Sequence, residues 1–398
     1  MKTKIITLGS VLALASLCIY FVSCKKTVIE KPQEEQGEPV LPSTTYDYAS
    51  KHDVNSNYAT LGRVLFYDRK LSINDGAACG SCHKQEFAFA NDTRFDRGFD
   101  GQFLNRNSPS IQGFKGFNTF NSNVTPSANN QQKVLLFWDG RQSNLSDMVL
   151  NPVLNHKEMN MPSFEMLTEK LQSVSYYKQL FINAFGDEQI TKERIALALE
   201  SFVCCLNTKT SSAQTQTNPN IIPTLEEVKT LEDMGKFLFH TKYNCAKCHD
   251  QNNQHTQPGN GFPQQPQPPS SPYSSPVEPT NAMFNIGLDE ISIDKGLGKL
   301  TGLPGDIGLF KVPTLQNIAF TAPYMHDGRF ATLDQVLEHY SHEIKGNANL
   351  SPLFKNFDGT PKELNILPAE KNAIIAFLKT LKDDDFLTSP MYSNPFKN

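Results

Sequence analysis

The sequence predicts a mostly α-helical chain built from two related domains, and three observations lead there. Apolar residues recur at helical spacing in segment after segment, as in YATLGRVLFYD, where Leu61, Val64 and Leu65 share one face. Long alternating strand patterns are scarce. The text also repeats itself: LGRVLFYDRKLSINDGAACGSCH is echoed by MGKFLFHTKYNCAKCH, NRNSPSIQ by FKVPTLQN, and FWDGRQSNL by MHDGRFATL. In the last echo Trp138 and His326 fall at matching positions.

The elements follow in chain order. A basic start and an apolar run ending in FVSC make residues 1–24 an export signal, and Ser23 before Cys24 resembles a lipobox, so Cys24 is expected to carry a lipid that anchors the chain to a membrane. A plain signal peptide and an uncleaved anchor are the competing readings. Residues 25–50, rich in Glu, Pro and Thr, are expected to be a disordered tether. The first domain is assigned to 51–215 and holds helices over YATLGRVLFYD, FEMLTEKLQSV, YYKQLFINAF and KERIALALESFV. The second is assigned to 216–398, with helices over LEEVKTLEDMGKFLFH, TLDQVLEHYSH and PAEKNAIIAFLKTL. A Gln-, Pro- and Ser-rich insertion at about 251–280 interrupts it, which makes His255 a solvated loop residue. The chain has 398 residues, enough for two such domains, and a formal charge of -4 with no basic stripe, which argues against a nucleic-acid partner.

The cysteines carry the chemistry. Of eight, Cys18 and Cys24 belong to the leader, and Cys204 and Cys205 lie on an apolar helical pattern as small core residues. The remaining four form Cys79-x-x-Cys82-His83 and Cys245-x-x-Cys248-His249. In this motif the thiols take up a haem as thioethers and the following His ligates the iron. A zinc site would need four converging ligands, whereas each pair here brings its own His in a separate repeat. Disulfides would leave the fifth-place His unexplained. Two covalently bound c-type haems are therefore expected, in two cytochrome c-like domains.

Together CGSCH, NRNSPS, LFWDGR, NPVLNHKEMN, CAKCH, FKVPTLQNIAFTAPYMHDGRF and LEHYSH resemble the bacterial diheme cytochrome c peroxidase family, which includes the diheme enzyme that matures methylamine dehydrogenase. The resemblance implies a peroxidatic haem on His83 and an electron-transfer haem on His249. Many members carry a His on the loop after the first motif that caps the iron. The stretch from Cys79 to Asn107 has no further His and no Met, so water or nothing is expected on that face. Glu158 in HKEMN matches the distal glutamate that handles peroxide protons; read alone it is a solvated glutamate on a polar turn. The usual distal glutamine falls on Met148, and His156 is a candidate to compensate. Trp138, the sole tryptophan, matches a stepping stone between the haems. The second iron is expected to take Tyr340, with His339, His342 and Met325 as rivals. His326 matches a residue beside the second haem that supports a propionate. Asn107, Thr321 and Pro323 match positions that bind Ca²⁺.

The resemblance implies a periplasm-facing or surface lipoprotein of a Gram-negative cell envelope that reduces hydrogen peroxide to water with electrons from a small cytochrome c or cupredoxin, possible as a homodimer. Two other readings stay open: a diheme oxidase that modifies residues of a partner protein, and a non-catalytic diheme relay.

Overall fold

The computed structural model describes residues 36–41, 46–49, 55–114, 136–207, 224–249 and 283–396. The expected leader, the lipid-bearing Cys24 and the low-complexity insertion lie outside them. Among the described residues no helix is long and apolar enough to cross a membrane.

The described chain is mostly helical, as expected. In order run α1 (Ser56–Tyr67), α2 (Leu145–Leu154), α3 (Phe164–Gln172), α4 (Ser175–Phe185), α5 (Lys192–Cys205), α6 (Leu231–His240), α7 (Leu333–Glu338) and α8 (Pro368–Thr380). The caps explain where they start. Asn55 accepts from the amides of Asn57 and Tyr58, Ser163 from Met166, and Thr191 from Arg194. Thr230 and Asp233 form a reciprocal capping box, so α6 begins at Leu231 and the helix expected from Leu225 is shortened. Thr332 and Gln335 cap α7 in the same way. The expected helix over 332–342 changes character at its end: after Glu338 it widens into a π turn, His339–Glu343. Among the described residues, strand is limited to a two-residue antiparallel pair, β1 (Met283–Phe284) and β2 (Phe310–Lys311), with Met283 opposite Lys311.

Two helix pairs organise two cores. In the first, α1 crosses α5 so closely that a Cβ on Gly62 would lie 1.9 Å from the Ala198 carbonyl oxygen. In the second, α6 crosses α8, and a Cβ on Gly235 would lie 1.9 Å from the Ala373 carbonyl oxygen. Only glycine permits either approach. Each crossing is sealed by a tilted phenylalanine pair, Phe66 with Phe202 and Phe239 with Phe377, both at 5.3 Å between centroids. Leu61, Val64, Leu199 and Phe202 belong to the first core; Leu238, Ile374, Phe377 and Leu378 belong to the second. Cys204 and Cys205 are buried in the first core, their thiols directed at the carbonyls of Phe114 and Ser201.

Two features depart from the sequence reading. The stretch expected to be a disordered tether is pinned where it is described. The Gln36 side chain donates to the Tyr67 carbonyl and accepts from the Arg69 amide, and Tyr48 is fully buried with its hydroxyl on the Met391 carbonyl at 2.6 Å. An aromatic ring that finds an apolar slot outweighs the polar composition around it. The C-terminal segment also crosses back to the first core: Phe386, Met391 and Tyr392 are buried there, Tyr67 donates to the Tyr392 carbonyl, and Arg63 donates to the Ser393 carbonyl.

Candidate active site

Each Cys-x-x-Cys-His motif forms one helical turn, Cys79–Cys82 with His83 as its cap, and Ala246–His249. His83 Nδ1 lies 2.8 Å from the Phe89 carbonyl oxygen and His249 Nδ1 lies 3.3 Å from that of Pro313, so each ring donates through Nδ1 and leaves Nε2 free to ligate. Burial keeps both rings neutral. The His83 pKa is lowered and that of His249 is pushed down to about 4, against the opposing pull of those carbonyls. The four motif thiols are unpaired, and among the described residues no three His, Cys, Asp or Glu converge as a metal cluster. Neither the disulfide nor the zinc alternative gains support.

One cavity of about 1510 Å³ is lined by both motifs. That exceeds the roughly 300–1,000 Å³ of a single small-molecule site. Its walls include Phe66, Leu136, Leu337 and Leu378, the apolar surroundings a porphyrin needs. Volume, wall chemistry, four free thiols and two imidazoles with Nε2 unblocked fit two covalently held haems.

Beside the first motif lies Glu158. The turn after α2 holds it: its amide donates to the Asn155 carbonyl, its carbonyl accepts from Phe99, and Asn155 Nδ2 donates to Oε1 at 2.7 Å. Burial raises its pKa, against the lowering effect of the Arg141 charge and the Asn155 hydrogen bond. Met148 is buried on α2 and His156 is exposed; both line the cavity. The loop after the motif is folded over this turn. Residues Arg97 and Phe103 bridge, Gly98 lies so close that a Cβ would sit 1.7 Å from the Lys157 carbonyl oxygen, and Asp100 is exposed at the tip.

That loop also hides a residue which sequence reasoning missed. Asp96 is 2% exposed, its Oδ2 has no hydrogen-bond partner, and burial pushes its pKa up to about 6, against the opposing contacts of Ser108 and Cys82. Nothing in DTRFDRGFD marks one aspartate as buried and the others as solvated; the signal is tertiary.

Trp138 lines the same cavity, 9% exposed, its indole N–H on the Asn107 carbonyl at 2.8 Å. The Asn107 amide in turn donates to the His326 carbonyl, and the Lys311 amide to that of Trp138. The His326 ring stacks on Phe310 at 3.7 Å. Arg106 ties the segments together, with both Asp294 oxygens on one side, at 2.7 and 2.9 Å, and Asp139 on the other at 2.6 Å. The two Asp-Gly-Arg hairpins share an internal ion pair, Asp139 with Arg141 and Asp327 with Arg329.

At the second motif, Tyr340 projects from the π turn into the cavity, stacked on Phe354 at 5.5 Å. Its pKa is raised, by burial first and then by Cys248 and Cys245. Among its rivals, Met325 also lines the cavity. His339 is tied through Nε2 to the Ile286 carbonyl at 3.0 Å, and His342 is exposed and paired with Glu338 at 2.7 Å. Asn107, Thr321 and Pro323 all line the cavity; Asn107 Nδ2 donates to the Thr93 carbonyl, which leaves its amide oxygen as the donor atom for a cation.

The chain is similar in sequence and fold to known diheme proteins. A family model for the di-haem cytochrome c peroxidases matches residues 56–218. The chain is 29% identical to the methylamine utilization protein MauG of Methylophilus methylotrophus, over 81% of this chain and 82% of that one. It is 27% identical to the cytochrome c551 peroxidase of Nitrosomonas europaea, over 83% and 81%. Its fold matches a MauG-like protein associated with microbial copper homeostasis, with a TM-score of 0.68 and 25% identity over 92% of this chain and 99% of that one. The diheme peroxidase BthA of Burkholderia thailandensis shares the fold, with a TM-score of 0.58 and 19% identity over 90% and 94%.

Proposed function

We propose that the chain, which is similar to the di-haem cytochrome c peroxidases, reduces hydrogen peroxide to water with electrons delivered one at a time by a small redox protein. The observation that carries this reading is the single cavity joining His83, Glu158, Trp138 and His249.

When bound, two c-type haems would supply redox-active iron, the first for the reaction of peroxide and the second for electron exchange. Cys79 and Cys82 would hold one, with His83 as ligand; Cys245 and Cys248 would hold the other, with His249 and Tyr340. The chain's own residues then divide the work. The Glu158 carboxylate accepts the proton of one peroxide oxygen and returns it to the other, which departs as water, and the remaining oxygen takes two electrons from the donor protein and two protons from solvent to leave as a second water. Asn155 aims that carboxylate. Trp138, on the wall of the shared cavity, passes electrons toward the first. His326, held against Phe310, supports a propionate of the second haem. Asn107, Thr321 and Pro323 would offer oxygens to a Ca²⁺ that stiffens the bridge.

The openness of the first site has its own support. The two halves read as repeats, and their close Gly62 and Gly235 crossings are alike. Counted from the Asn144 and Thr332 caps, the place taken by Tyr340 in the second half is taken by Pro152 in the first. Pro152 lines the cavity as well, and it has no atom that can ligate iron.

A second reading, oxidation of residues on a partner protein, rests on the MauG relatives and on Tyr340 in the cavity. In either case the leader supports export to a periplasm-facing envelope location, with Cys24 as the lipid-bearing residue. The test is the EPR spectrum of the oxidised protein together with peroxide turnover. A high-spin signal with turnover is expected. Two low-spin haems inert to peroxide would leave an electron relay instead, and turnover on a partner protein alone would favour the second reading.

A further inference from the structure

Two segments of like sequence, 109–112 and 313–316, end against one another. With Pro109 set against Pro313, Gln112 falls against Gln316 and Gly113 against Asn317. Gly113 and Asn317 both have positive φ, 90° and 54°. The Gly113 amide donates to the Leu206 carbonyl at 2.9 Å, where α5 ends, and the Asn317 amide to the Leu381 carbonyl at 2.6 Å, where α8 ends. Each segment is thereby pinned to a core helix of its own half.

Each segment also reaches the histidine of its own motif. The Pro313 carbonyl faces His249 Nδ1 at 3.3 Å. On the other side His83 Nδ1 lies 2.8 Å from the Phe89 carbonyl, and the Pro109 carbonyl is a second acceptor for the same ring. Ser110 ties these two acceptors together, because its hydroxyl donates to the Ala88 carbonyl at 2.5 Å. Ala88 and Phe89 have φ of 53° and 58°, a conformation that side-chain-bearing residues keep only where their surroundings hold them. A carbonyl that takes the Nδ1 proton orients an imidazole and raises its basicity toward a metal. The placement of these carbonyls therefore bears on any iron the two rings ligate.

The far ends of the segments meet in a buried amide joint. Gln112 Nε2 donates to the Gln316 carbonyl at 2.7 Å, and Gln112 Oε1 accepts from Asn317 Nδ2 at 2.9 Å. Asn317 Oδ1 accepts in turn from the Asp383 amide at 2.7 Å. Gln112 and Asn317 are both 0% exposed. The Gln316 side chain takes no such part, and its Oε1 is buried without a partner. Paired buried amides return little more than their desolvation cost, so what they contribute is one fixed arrangement of the parts they join.

We propose that Gln112 is a positioning residue for His83 and His249 together. Through the joint, a displacement of the Pro109 carbonyl at the first site is passed to the Pro313 carbonyl at the second, and the two imidazole–iron bonds are tuned in common. The link stands behind the wall that Ile111, Leu315 and Ile318 present to the cavity, apart from Trp138 on the cavity side. The proposal rests on both motifs holding haem and goes beyond the peroxidase reading by naming a residue that couples the two.

The test is a double-mutant cycle on the holoprotein, read by the midpoint potential and EPR g values of each haem and by the denaturant midpoint. Ser110→Ala loosens the first segment without changing charge. It should shift the signals of both haems. Gln112→Met keeps the length of the side chain and removes both amide bonds, and should also shift both. In the Gln112→Met background, Ser110→Ala should move the first haem and lose its effect on the second. A second haem that ignores Ser110→Ala overturns the proposal, and that single variant decides even where Gln112→Met fails to fold. So does a second haem that responds equally in both backgrounds. A Gln112→Met variant with a lower denaturant midpoint and unmoved potentials would make the joint structural only, and overturns it too. Absence of peroxide turnover in the unaltered holoprotein would instead sink the peroxidase reading, and the two potentials would still decide the joint.

Discussion

Glu158→Gln keeps the shape of the side chain and removes its ability to accept a proton. The position is well held: the Glu158 carbonyl takes the Phe99 amide at 2.8 Å, its own amide reaches the Asn155 carbonyl at 3.0 Å, and Asn155 fixes Oε1 at 2.7 Å. A glutamine can be seated there without rebuilding the turn, so the loss reads chemistry rather than folding. Acid–base help of this kind contributes about 10²–10⁴ in rate, or roughly 2.7–5.5 kcal/mol of barrier, and that is the fall expected in kcat/KM for peroxide. The pH profile sharpens the test. Burial raises the Glu158 pKa and prevails over the lowering effects of Arg141 and Asn155. A base works when deprotonated, so kcat/KM should fall as pH drops through this raised value, with the acid limb above the ordinary carboxylate range. Removing a lowering influence, as in Arg141→Gln, should move the limb further up in pH. A Glu158→Gln variant that turns over within about twofold of the parent, or that keeps the same acid limb, refutes the assignment.

Other perturbations probe the framework. Pro152→Met offers the first site a thioether at the place Tyr340 holds in the second; a shift of the EPR signal to low spin with loss of peroxide turnover is expected, and a folded variant with an unchanged high-spin signal would count against the correspondence. Tyr340→Met should raise the potential of the second haem by on the order of 100 mV, because a thioether favours the reduced iron where a phenolate favours the oxidised; spectroelectrochemistry that finds no change removes Tyr340 as ligand. Gly235→Ala drives a Cβ to 1.9 Å from the Ala373 carbonyl oxygen, while a Cβ on Gly305 meets nothing within 4 Å. The first should lower the denaturant midpoint by the equivalent of about 1–3 kcal/mol and the second should stay within about 0.5, and equal effects would mean that the α6–α8 crossing is not tight.

What could be read from the sequence divides along a physical line. The Cys-x-x-Cys-His turns, the helices with their caps and the two Gly-x-x-Leu-Phe crossings are local, and residues a few positions apart announce them. The burial of Glu158 has no local signature, since a polar turn gives no sign that Phe99 and Gly98 will fold over it and dry it out. Asp96, the Arg106 ties to Asp139 and Asp294, and the return of Phe386 and Tyr392 to the first core are made by partners far away in the chain. No periodicity encodes such contacts. The widening of α7 into a π turn was hidden for another reason: LEHYSH has ordinary helical spacing, and the changed phase that directs Tyr340 toward Cys245 and Cys248 comes from packing, with Phe354 against the ring and Ile286 holding His339.

That phase is also where the two halves part company. Both begin from an Asp-Gly-Arg hairpin with an internal ion pair, both cap the next helix with a polar side chain, and both turn that helix toward the same cavity. In the first half the helix runs on through Pro152 to the turn that presents a titratable carboxyl. In the second it stops at Glu338 and presents a phenol beside two cysteines. On the proposed reading, Pro152 and Tyr340 at this position separate a site that would admit a small oxidant from one that its own side chain would close. A site that exchanges only electrons needs no opening for substrate, only a surface where another protein can rest. A site that breaks an O–O bond needs an opening, a proton carrier and distance from other reductants. On that reading the two halves differ in the helix that leaves each hairpin, while the packing of α1 on α5 and of α6 on α8 stays nearly the same.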